Sequence, residues 1–371
     1  MKKHISIISA AVLLGSIVLL GGCNKNPFSH EGELITFGTV AAGSQTRTAY
    51  GADFPATGTP THQRIDWETD DVLRIVSDYA RVSNDGSNKE YADYTVTSAT
   101  QEADGTSAAV VNTNPNGLCW TGADSYTFWG VYPSTTPISA AGVVTADFIG
   151  AAQSLPSTTT TKTVGEGDDA ITYTVYTPDI SGHVLTAVAA GVKENDEKPL
   201  VMLHFKPAFT AVEFNLSSLD DDIEITQVKL AAAETGSDYL AGPFTMDAGD
   251  LSSVSVTTAS ASKAVTLSAG DGVTVTATEG ATFTMFLLPV SNAGALTFSV
   301  TSKEDEGSKT SYVSLTKTVN GEKVPFVFEA GKKYRINGFK APGNSWKIFI
   351  STDILNVEEW GEPVGTDLIV E

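Results

Sequence analysis

Cys23 is the residue near the start of this chain whose surroundings indicate a defined chemistry. Lysines at positions 2 and 3 precede an apolar segment, Ile5 to Leu20, which runs into Leu20-Gly-Gly-Cys23. A positive start and about sixteen mostly apolar residues are typical of a secretory signal and too short for a confident membrane span. The small residues before the cysteine fit the narrow site of the peptidase that processes bacterial lipoproteins. We therefore predict removal of residues 1–22 and a lipid on Cys23, where two or more acyl chains would anchor the protein stably to a membrane.

Arg47 is the second residue whose context indicates a reaction. It is a lone basic residue in the small polar segment Gln45-Thr-Arg-Thr48, and it follows a short alternating pattern that predicts a strand. The apolar residues of that strand are Leu34, Ile35, Phe37 and Val40. A trypsin-like protease selects arginine through a pocket that holds a buried carboxylate. We predict cleavage between Arg47 and Thr48, which would free the protein from its anchor, remove this provisional strand and open a groove for a strand of another copy.

The other reactive residue types form no catalytic or metal-binding pattern in the sequence. No two of the five histidines have the His-x-x-x-His spacing of a metal site. The acidic run Asp220–Asp222 lacks the alternating frame of a calcium loop. A phosphate-binding glycine loop and Gly-x-Ser-x-Gly are both absent from the sequence. We therefore expect no enzyme activity, no metal and no cofactor, and a secreted hydrolase remains an alternative without a catalytic signature.

The charge and the cysteine content exclude several partners and stabilising devices. A net charge of -21 argues against nucleic acid and against electrostatic attraction to anionic lipid. Cys119 is the only cysteine besides Cys23, so a lipidated protein has no intrachain disulfide and depends on its sheets and their cores. We expect Cys119 to be a small buried hydrophobe. An ordinary signal peptide followed by an unmodified Cys23 is the alternative to lipidation.

The pattern of the elements is that of an all-β protein. Short alternating or β-branched runs are separated by clusters of Gly, Asn, Asp and Pro, which predicts antiparallel β-sandwiches. Examples of such runs are Val72–Val76, Tyr91–Thr97, Tyr126–Tyr132 and Ile171–Tyr176. Residues 150–169 predict a long surface loop, whereas His183–Val192 fits either a short helix or a buried strand.

One run in the second half shows the alternation of a half-buried strand. Val212, Phe214 and Leu216 would share one face, while Glu213 and Asn215 would lie on the other. In an antiparallel sheet such a pattern places the apolar face on the core and the polar face toward solvent. We therefore predict that Glu213 lies on an outer, polar face.

The chain length favours two domains, because 371 residues are more than one core usually serves. A charged run that ends in proline, residues 195–199, is the best boundary between them. The predicted segments are a signal peptide at 1–22, a lipidated leader with the provisional strand at 23–47, an N-terminal sandwich at 48–199 and a C-terminal sandwich at 200–371.

The C-terminal tail, residues 344–371, contains a last apolar pattern. Its apolar residues are Trp346, Ile348, Ile350, Ile354 and Val357. The first three of them alternate with other residues, as in a strand. Two arrangements explain the tail: it closes the C-terminal sandwich of its own chain, as terminal strands commonly do, or it is a donor strand for another subunit.

Several motifs taken together resemble those of the Bacteroidales fimbrillins, the subunits of type V pili. The signal with Cys23 is followed in order by an Ile-x-Phe strand before Thr46-Arg-Thr48 and by further motifs along the whole mature chain. These motifs are Arg64-Ile-Asp-Trp-Glu68, Tyr126-x-Phe-x-Gly-Val-Tyr-Pro133, Leu203-His-Phe-Lys-Pro-Ala-Phe-Thr-Ala-Val-Glu-Phe214, Phe286-Leu-Leu-Pro-Val290 and Ala330-Gly-Lys-Lys-Tyr334. Each motif is short, and their shared order carries the resemblance.

The resemblance implies two tandem transthyretin-like β-sandwich domains, exported as a lipoprotein precursor to the outer membrane. In the polymerising members of that family an arginine-specific protease removes the first strand, and a strand from a neighbour fills the gap. Arg47 matches the cleavage position, and Arg64 is a poorer match because it begins a strand of the first sandwich. The tail from Trp346 onward matches the place that supplies the donor strand.

The expected function is therefore that of a structural subunit of a surface fimbria, of the stalk type, which assembles head to tail with copies of itself and with other subunits. A tip or anchor subunit with an adhesive role toward a host or bacterial surface ligand is one alternative. The other is a monomeric surface lipoprotein that binds glycans through exposed tryptophans, for which the candidates are Trp67, Trp120, Trp129, Trp346 and Trp360. Trp67, Trp120 and Trp129 lie inside strand patterns and are expected in the core instead.

Overall fold

The computed structural model describes most of the chain beyond residue 30. The described residues are 31–41, 49–54, 62–83, 85–101, 107–111, 114–165, 167, 170–180, 182–193, 200–219, 222–290, 296–304, 307–319, 322–325, 327–341, 345–356 and 368–370. Within these ranges the regular structure consists of β-strands, and no α-helix occurs. The prediction of an all-β protein is confirmed.

The strands of the first half are short and closely spaced. They are β1 Phe37–Ala41, β2 Ala49–Phe54, β3 His62–Asp66, β4 Val72–Ser77, β5 Arg81–Val82, β6 Tyr91–Gln101, β7 Ser107–Val111, β8 Leu118–Cys119, β9 Tyr126–Tyr132, β10 Val143–Ala146, β11 Ala152–Ser154, β12 Thr159–Val164, β13 Ile171–Tyr176 and β14 Leu185–Val192. In the ambiguous segment at 183–192, residues 185–192 thus form a strand. The apolar and β-branched runs chosen from the sequence coincide with β4, β6, β9 and β13.

The strands of the second half are longer. They are β15 Val201–His204, β16 Lys206–Pro207, β17 Thr210–Ser218, β18 Ile223–Ala231, β19 Phe244–Asp247, β20 Asp250–Val256, β21 Ala264–Val275, β22 Glu279–Leu287, β23 Leu296–Glu304, β24 Gly307–Val319, β25 Glu322–Pro325, β26 Lys332–Ala341, β27 Ser345–Asn356 and β28 Leu368–Val370.

The prediction of a long loop at residues 150–169 is wrong. This segment contains β11 and β12, and β12 pairs residue by residue with β13, from Thr159 opposite Tyr176 to Val164 opposite Ile171. The threonine run that suggested a polar loop is β-branched, and β-branched residues fit a pleated surface well even when they are exposed. Polarity therefore misled the prediction where side-chain shape decided the structure.

One sheet of eight strands, in the order β15-β1-β7-β6-β4-β9-β14-β16, builds the first sandwich. Its long strand β6 pairs with β4 through residues 91–95 and with β7 through residues 96–101, with a register shift next to Val96. A strand can turn from one layer into the other at such an irregularity. The rings of Phe37 on β1 and Phe128 on β9 lie 5.3 Å apart although three strands separate β1 from β9. The sheet therefore folds over, and its two halves face each other.

Two further sheets form the second sandwich. One has nine strands, in the order β12-β13-β22-β17-β26-β27-β3-β2 with β28 attached to β27, and the other has the order β11-β21-β18-β23-β24-β25. Phe214 of β17 and Phe298 of β23 stack with ring centroids 4.1 Å apart, so the inner faces of the two sheets are in contact. A smaller sheet, β10-β19-β20, and the pair β5-β8 complete the described strands.

Strand pairing crosses the sequence position at which a domain boundary was predicted. Strands β10, β11 and β13, which precede residue 199, pair with β19, β21 and β22 of the second half. In the other direction β15 and β16 pair with β1 and β14. The predicted boundary segment, residues 195–199, lies outside the described residues, and the division into two domains stays a prediction.

The C-terminal strand β27 lies within the second sandwich of its own chain. It pairs antiparallel with β26, from Ser345 opposite Ala341 to Asn356 opposite Lys332, and β28 folds back on it. The described residues contain no helix of the length and apolar character needed to cross a bilayer.

Candidate strand-exchange site

The first strand is anchored in the core by two apolar side chains. Ile35 and Phe37 are 4% and 3% exposed. The ring of Phe37 makes edge-to-face contacts with Tyr94 at 5.2 Å and with Phe128 at 5.3 Å between centroids. Such contacts add to the free energy of burying the ring itself. The segment that sequence analysis identified as provisional is thus an integral part of the first sandwich.

The strand β1 has backbone partners on both sides. Phe37 pairs with Val201 of β15 in a parallel ladder, and Gly38 pairs with Val110 of β7 in an antiparallel ladder. Strand β15 is the end of this sheet, and β1 is its only hydrogen-bonded neighbour there among the described strands. If β1 were lost, β15 and β7 would both expose unpaired N–H and C=O groups, which are a template for an incoming strand.

The outer face of β1 is closed over Gly38. A Cβ atom at this position would lie 2.5 Å from Sδ of Met202 and 3.5 Å from Cδ2 of Leu200. A side chain at position 38 would therefore require Met202 to move aside. The strand thus alternates buried side chains on the inner face with Gly38 on the outer face, where any side chain would displace the flexible end of Met202.

Thr39 is fully buried on the inner face, yet its Oγ1 has no hydrogen-bond partner among the described residues. A buried polar group without a partner costs about 1–3 kcal/mol relative to a satisfied one. This cost offsets part of the gain from burying Ile35 and Phe37. The first strand is consequently held less tightly than its apolar contacts alone would indicate.

The structure describes some of the predicted site residues, in the first strand and in β27, and leaves others outside the described ranges. Leu34 makes an isolated antiparallel bridge with Cys119, and Val40 lies in β1 opposite His204. The predicted donor residues that the structure describes are Trp346, Ile348, Ile350 and Ile354, and all of them lie in β27. The predicted residues outside the described ranges are Cys23, Arg47, Thr48 and Val357. Lipidation, cleavage and strand donation therefore stay predictions.

The prediction that Glu213 lies on a polar outer face is wrong. All nine residues of β17 are buried, and Glu213 is 2% exposed. Its carboxylate forms ion pairs with three cations: Nζ of Lys162 at 2.7 Å, Nζ of Lys333 at 2.5 Å and Nε of Arg335 at 2.7 Å. Burial alone would raise the pKa of Glu213, but the three cations outweigh burial and hold that pKa well below its ordinary value.

Local sequence patterns could not have revealed this cluster. Lys162 is 51 positions from Glu213, and Arg335 is 122 positions away. They meet because β17 pairs in parallel with β26, which places Arg335 directly opposite Glu213. The cluster joins the hairpin β12–β13 to the centre of the nine-stranded sheet, and its part in the protein is structural.

His183 occupies a second polar position, which is largely but not fully buried, within a group of phenylalanine rings. Ring centroids of Phe148, Phe209 and Phe286 lie 5.2, 5.1 and 4.3 Å from that of His183. Burial lowers the pKa of His183 from 6.5 to about 4, although the charge of Asp179 and the backbone of Ile180 partly oppose this shift. The imidazole is therefore neutral in the folded protein at neutral pH.

We predict that His183 makes the protein less stable in mild acid. Below pH 6.5 the unfolded chain binds a proton at His183, whereas the folded chain does so only near pH 4. The free energy of unfolding should therefore fall by roughly 3 kcal/mol in total as the pH is lowered across this interval. Urea unfolding of the wild type and of His183→Phe at several pH values measures the effect as the difference between the two proteins. His204→Gln, at an exposed position, serves as the control, and equal pH dependence in wild type and His183→Phe would contradict the prediction.

The sequence predicts that three tryptophans and Cys119 lie in the core, where they are not available to bind sugars or to react as a thiol. Trp67 and Trp120 are 1% and 2% exposed, and Cys119 is 1% exposed, so these core positions are confirmed. Trp129 is partly buried and packs against the core. None of the three tryptophans therefore offers a fully exposed face to a sugar ring. Among the described residues no group of three or more His, Cys, Asp or Glu side chains is placed to hold a metal ion.

Comparison with solved structures finds chains that align with most of this one. A candidate cell adhesion protein from Bacteroides uniformis matches 85% of this chain and 96% of its own, with 15% identity and a TM-score of 0.46. A second, from Bacteroides ovatus, matches 89% and 99%, with 15% identity and a TM-score of 0.47. The tip fimbrial protein Mfa3 from Porphyromonas gingivalis, truncated at its C-terminus, matches 84% and 98%, with 7% identity and a TM-score of 0.34.

No family model and no curated protein matches the chain.

Proposed function

We propose that this protein is a non-enzymatic structural subunit of a surface fimbria, of the stalk type, which polymerises after proteolytic loss of its first strand. The observation that carries the proposal is the position of β1. It fills a core position with Ile35 and Phe37, and it completes the ladders of both β7 and β15. Removal of residues up to Arg47 would take away this whole element and leave a long apolar trench between two unpaired strand edges.

A strand from a second copy would fill that trench. Donor and acceptor are different surfaces of the subunit, so the contact is head to tail and an open filament follows. In the isolated chain the tail already pairs with β26, and assembly therefore exchanges one set of ladder hydrogen bonds for another. The net gain comes from apolar side chains that enter the trench, at about 1.5–3 kcal/mol for each fully buried one before ordering costs.

The lipid on Cys23 would confine the precursor to the membrane while the first strand still blocks the groove. A precursor held by acyl chains at the outer membrane keeps β1 in place and cannot accept a donor strand. An arginine-specific protease that cuts after Arg47 would release the lipid and vacate the groove in one step. Assembly is then confined to the cell surface, where the subunit joins copies of itself and other fimbrial subunits. The segment that contains Arg47 lies between β1 and β2, outside the described residues.

The substitution Arg47→Gln tests this proposal. Surface material from the wild type should begin at Thr48 by N-terminal sequencing and should form a heat-sensitive ladder on denaturing gels. Arg47→Gln should leave a lipidated monomer and no ladder, because the first strand stays in its groove. Arg64→Gln, in β3, is the matched control and should still polymerise. Fibres that retain residues 24–47, or an unchanged ladder from Arg47→Gln, would refute cleavage as the trigger.

A second candidate function is glycan binding by a monomeric surface lipoprotein. An open cavity of about 440 Å³ beside β10 favours it. The residues that line the cavity include Thr135, Thr145, Asp147 and Phe148, and small-molecule sites commonly pair a few polar residues with an apolar lining. The two functions are distinguished by the mature N-terminus, since a glycan-binding lipoprotein keeps Cys23 and shows no ladder.

A further inference from the structure

The cavity of about 440 Å³ beside β10 lies where four segments of the chain meet. They are the residues after β9, the end of β10 with the residues that follow it, the residues before β14 and the residue before β19. Ligand sites are often found where separate structural units meet. The described residues that line the cavity lie outside β1, β7 and β15, so this cavity is separate from the candidate strand-exchange site.

The cavity has an apolar inner part and a polar rim. Among its lining residues Val184 is 2% exposed, Ala146 is 8% exposed, and Phe148 is partly buried and packs against the core. Thr145 and Asp147, by contrast, are exposed. A ligand that combines an apolar body with a polar end would therefore match both parts of the cavity.

The polar side chains around the cavity are not engaged elsewhere in the described part of the chain. The carboxylate of Asp147 makes no hydrogen bond or ion pair there, and the hydroxyls of Thr135, Thr136 and Thr145 make no hydrogen bond either. Thr136 is in this state although it is only 6% exposed. Four polar groups thus surround one cavity and are all available to a ligand.

The lining is rich in hydrogen-bond acceptors and poor in donors. Pro133, Pro137 and Pro243 contribute no backbone N–H group, and an ionised carboxylate only accepts hydrogen bonds. Asp147 is the one charged residue among the described residues of the lining. An anionic ligand would be repelled by this charge, whereas a cation with several N–H donors would be complementary to it.

We propose that the cavity binds the side chain of an arginine or lysine on a partner protein. Its hydrocarbon stem would lie against Phe148 and its cationic end would meet the carboxylate of Asp147. Long basic side chains have this combination of an apolar stem and a charged end. The chain as a whole carries a net charge of -21, which attracts basic partners and repels a second copy.

This inference does not depend on strand exchange, and it differs from the second candidate function in the ligand. A neutral sugar in the same cavity would leave the charge of Asp147 without a counter-charge. The sensitivity of binding to that charge therefore distinguishes a basic side chain from a sugar.

Two probes of nearly the same shape test the role of charge. They are Nα-acetyl-arginine N-methylamide and its citrulline analogue, in which a neutral urea replaces the guanidinium. NMR titration of each probe into lipid-free protein beginning at residue 24 measures the dissociation constants. We expect the arginine probe to bind about three- to tenfold more tightly than the citrulline probe at low salt. The difference should shrink at high salt, because the cavity is open and its ion pair is screened.

The variant Asp147→Asn removes the charge and keeps the shape of the side chain. It should bind the arginine probe no more tightly than the citrulline probe. Asp124→Asn is the matched control, since Asp124 is an exposed acid that precedes β9 whereas the cavity follows that strand. This control should keep the preference of the wild type for arginine.

The remaining outcomes contradict the inference. Equal affinity of the two probes for the wild type, no binding of either, or the same loss in Asp147→Asn and Asp124→Asn would overturn it. Binding of methyl α-mannoside, with shifts at Asp147 and Phe148 and no preference for arginine, would overturn it in favour of the glycan candidate. The heat-sensitive ladder reports on the proposed function separately, and Asp147→Asn should form that ladder as the wild type does.

Discussion

Replacing Phe37 by alanine is expected to destabilise the uncleaved protein by about 3–5 kcal/mol. The side chain is 3% exposed and contacts two rings on the opposite half of the folded sheet, Tyr94 on β6 and Phe128 on β9. Alanine would leave a cavity between them that neighbouring strands can fill only in part. The loss is a large share of the stability of a typical domain.

Urea unfolding of the lipid-free protein beginning at residue 24 measures this effect. Thr36→Ala is the matched control, since Thr36 is the exposed neighbour of Phe37 on the same segment and should change stability little. After cleavage at Arg47 the two variants and the wild type become identical and must unfold alike. A loss below about 1 kcal/mol for Phe37→Ala would show that the first strand is not an anchor of the core.

The same variant connects the stability of the first strand to the control of assembly. If Phe37 holds β1 in its groove, a truncated side chain should let the strand leave transiently without proteolysis. Uncleaved Phe37→Ala is then the form most able to accept a donor strand prematurely. The buried but unpartnered hydroxyl of Thr39 already lowers the stability of β1 in its groove. The native strand thus combines the favourable burial of Phe37 with an unfavourable buried hydroxyl two residues away.

The sequence predicted the strands themselves well because their residue types act locally. Tyr126–Tyr132 and Ile171–Tyr176 have the bounds of β9 and β13. Both runs alternate aromatic or β-branched residues and are bounded by turn residues, which is a signal that needs no knowledge of neighbours. The all-β class follows from many such signals in series.

What the sequence could not show is which strands become neighbours. The outer face of β17 appeared polar, yet Lys162 of the hairpin at residues 159–176 pairs there with the buried carboxylate of Glu213. The alternating pattern of the tail does not predict which strand it pairs with, because the same apolar face can pack on its own sheet or on another subunit. Pairing of β27 with β26 is therefore information that only the structure provides.

Removing the buried carboxylate of Glu213 is the second change with a large expected effect. Glu213→Gln should destabilise the protein by about 3–5 kcal/mol, because loss of one member of a buried ion cluster leaves the opposite charges uncompensated. Here the charges are those of Lys162, Lys333 and Arg335, whose side chains are 28%, 9% and 11% exposed. Lys162→Met is the matched control and should cost less, since Lys162 is the most exposed of the three and its loss leaves the carboxylate with two cations.

The pH dependence of that difference identifies its electrostatic origin. The folded pKa of Glu213 lies well below its ordinary value, so the carboxylate contributes stability that is complete above the ordinary glutamate pKa and is lost as the pH falls through the folded pKa. The gap in unfolding free energy between wild type and Glu213→Gln should therefore be widest near neutral pH and narrow progressively in acid. Urea unfolding of both proteins across this range measures the gap. A gap that stays constant would mean that the variant acts through packing of its amide and not through the lost charge, whereas a narrowing gap would identify the ion cluster as the source of the lost stability.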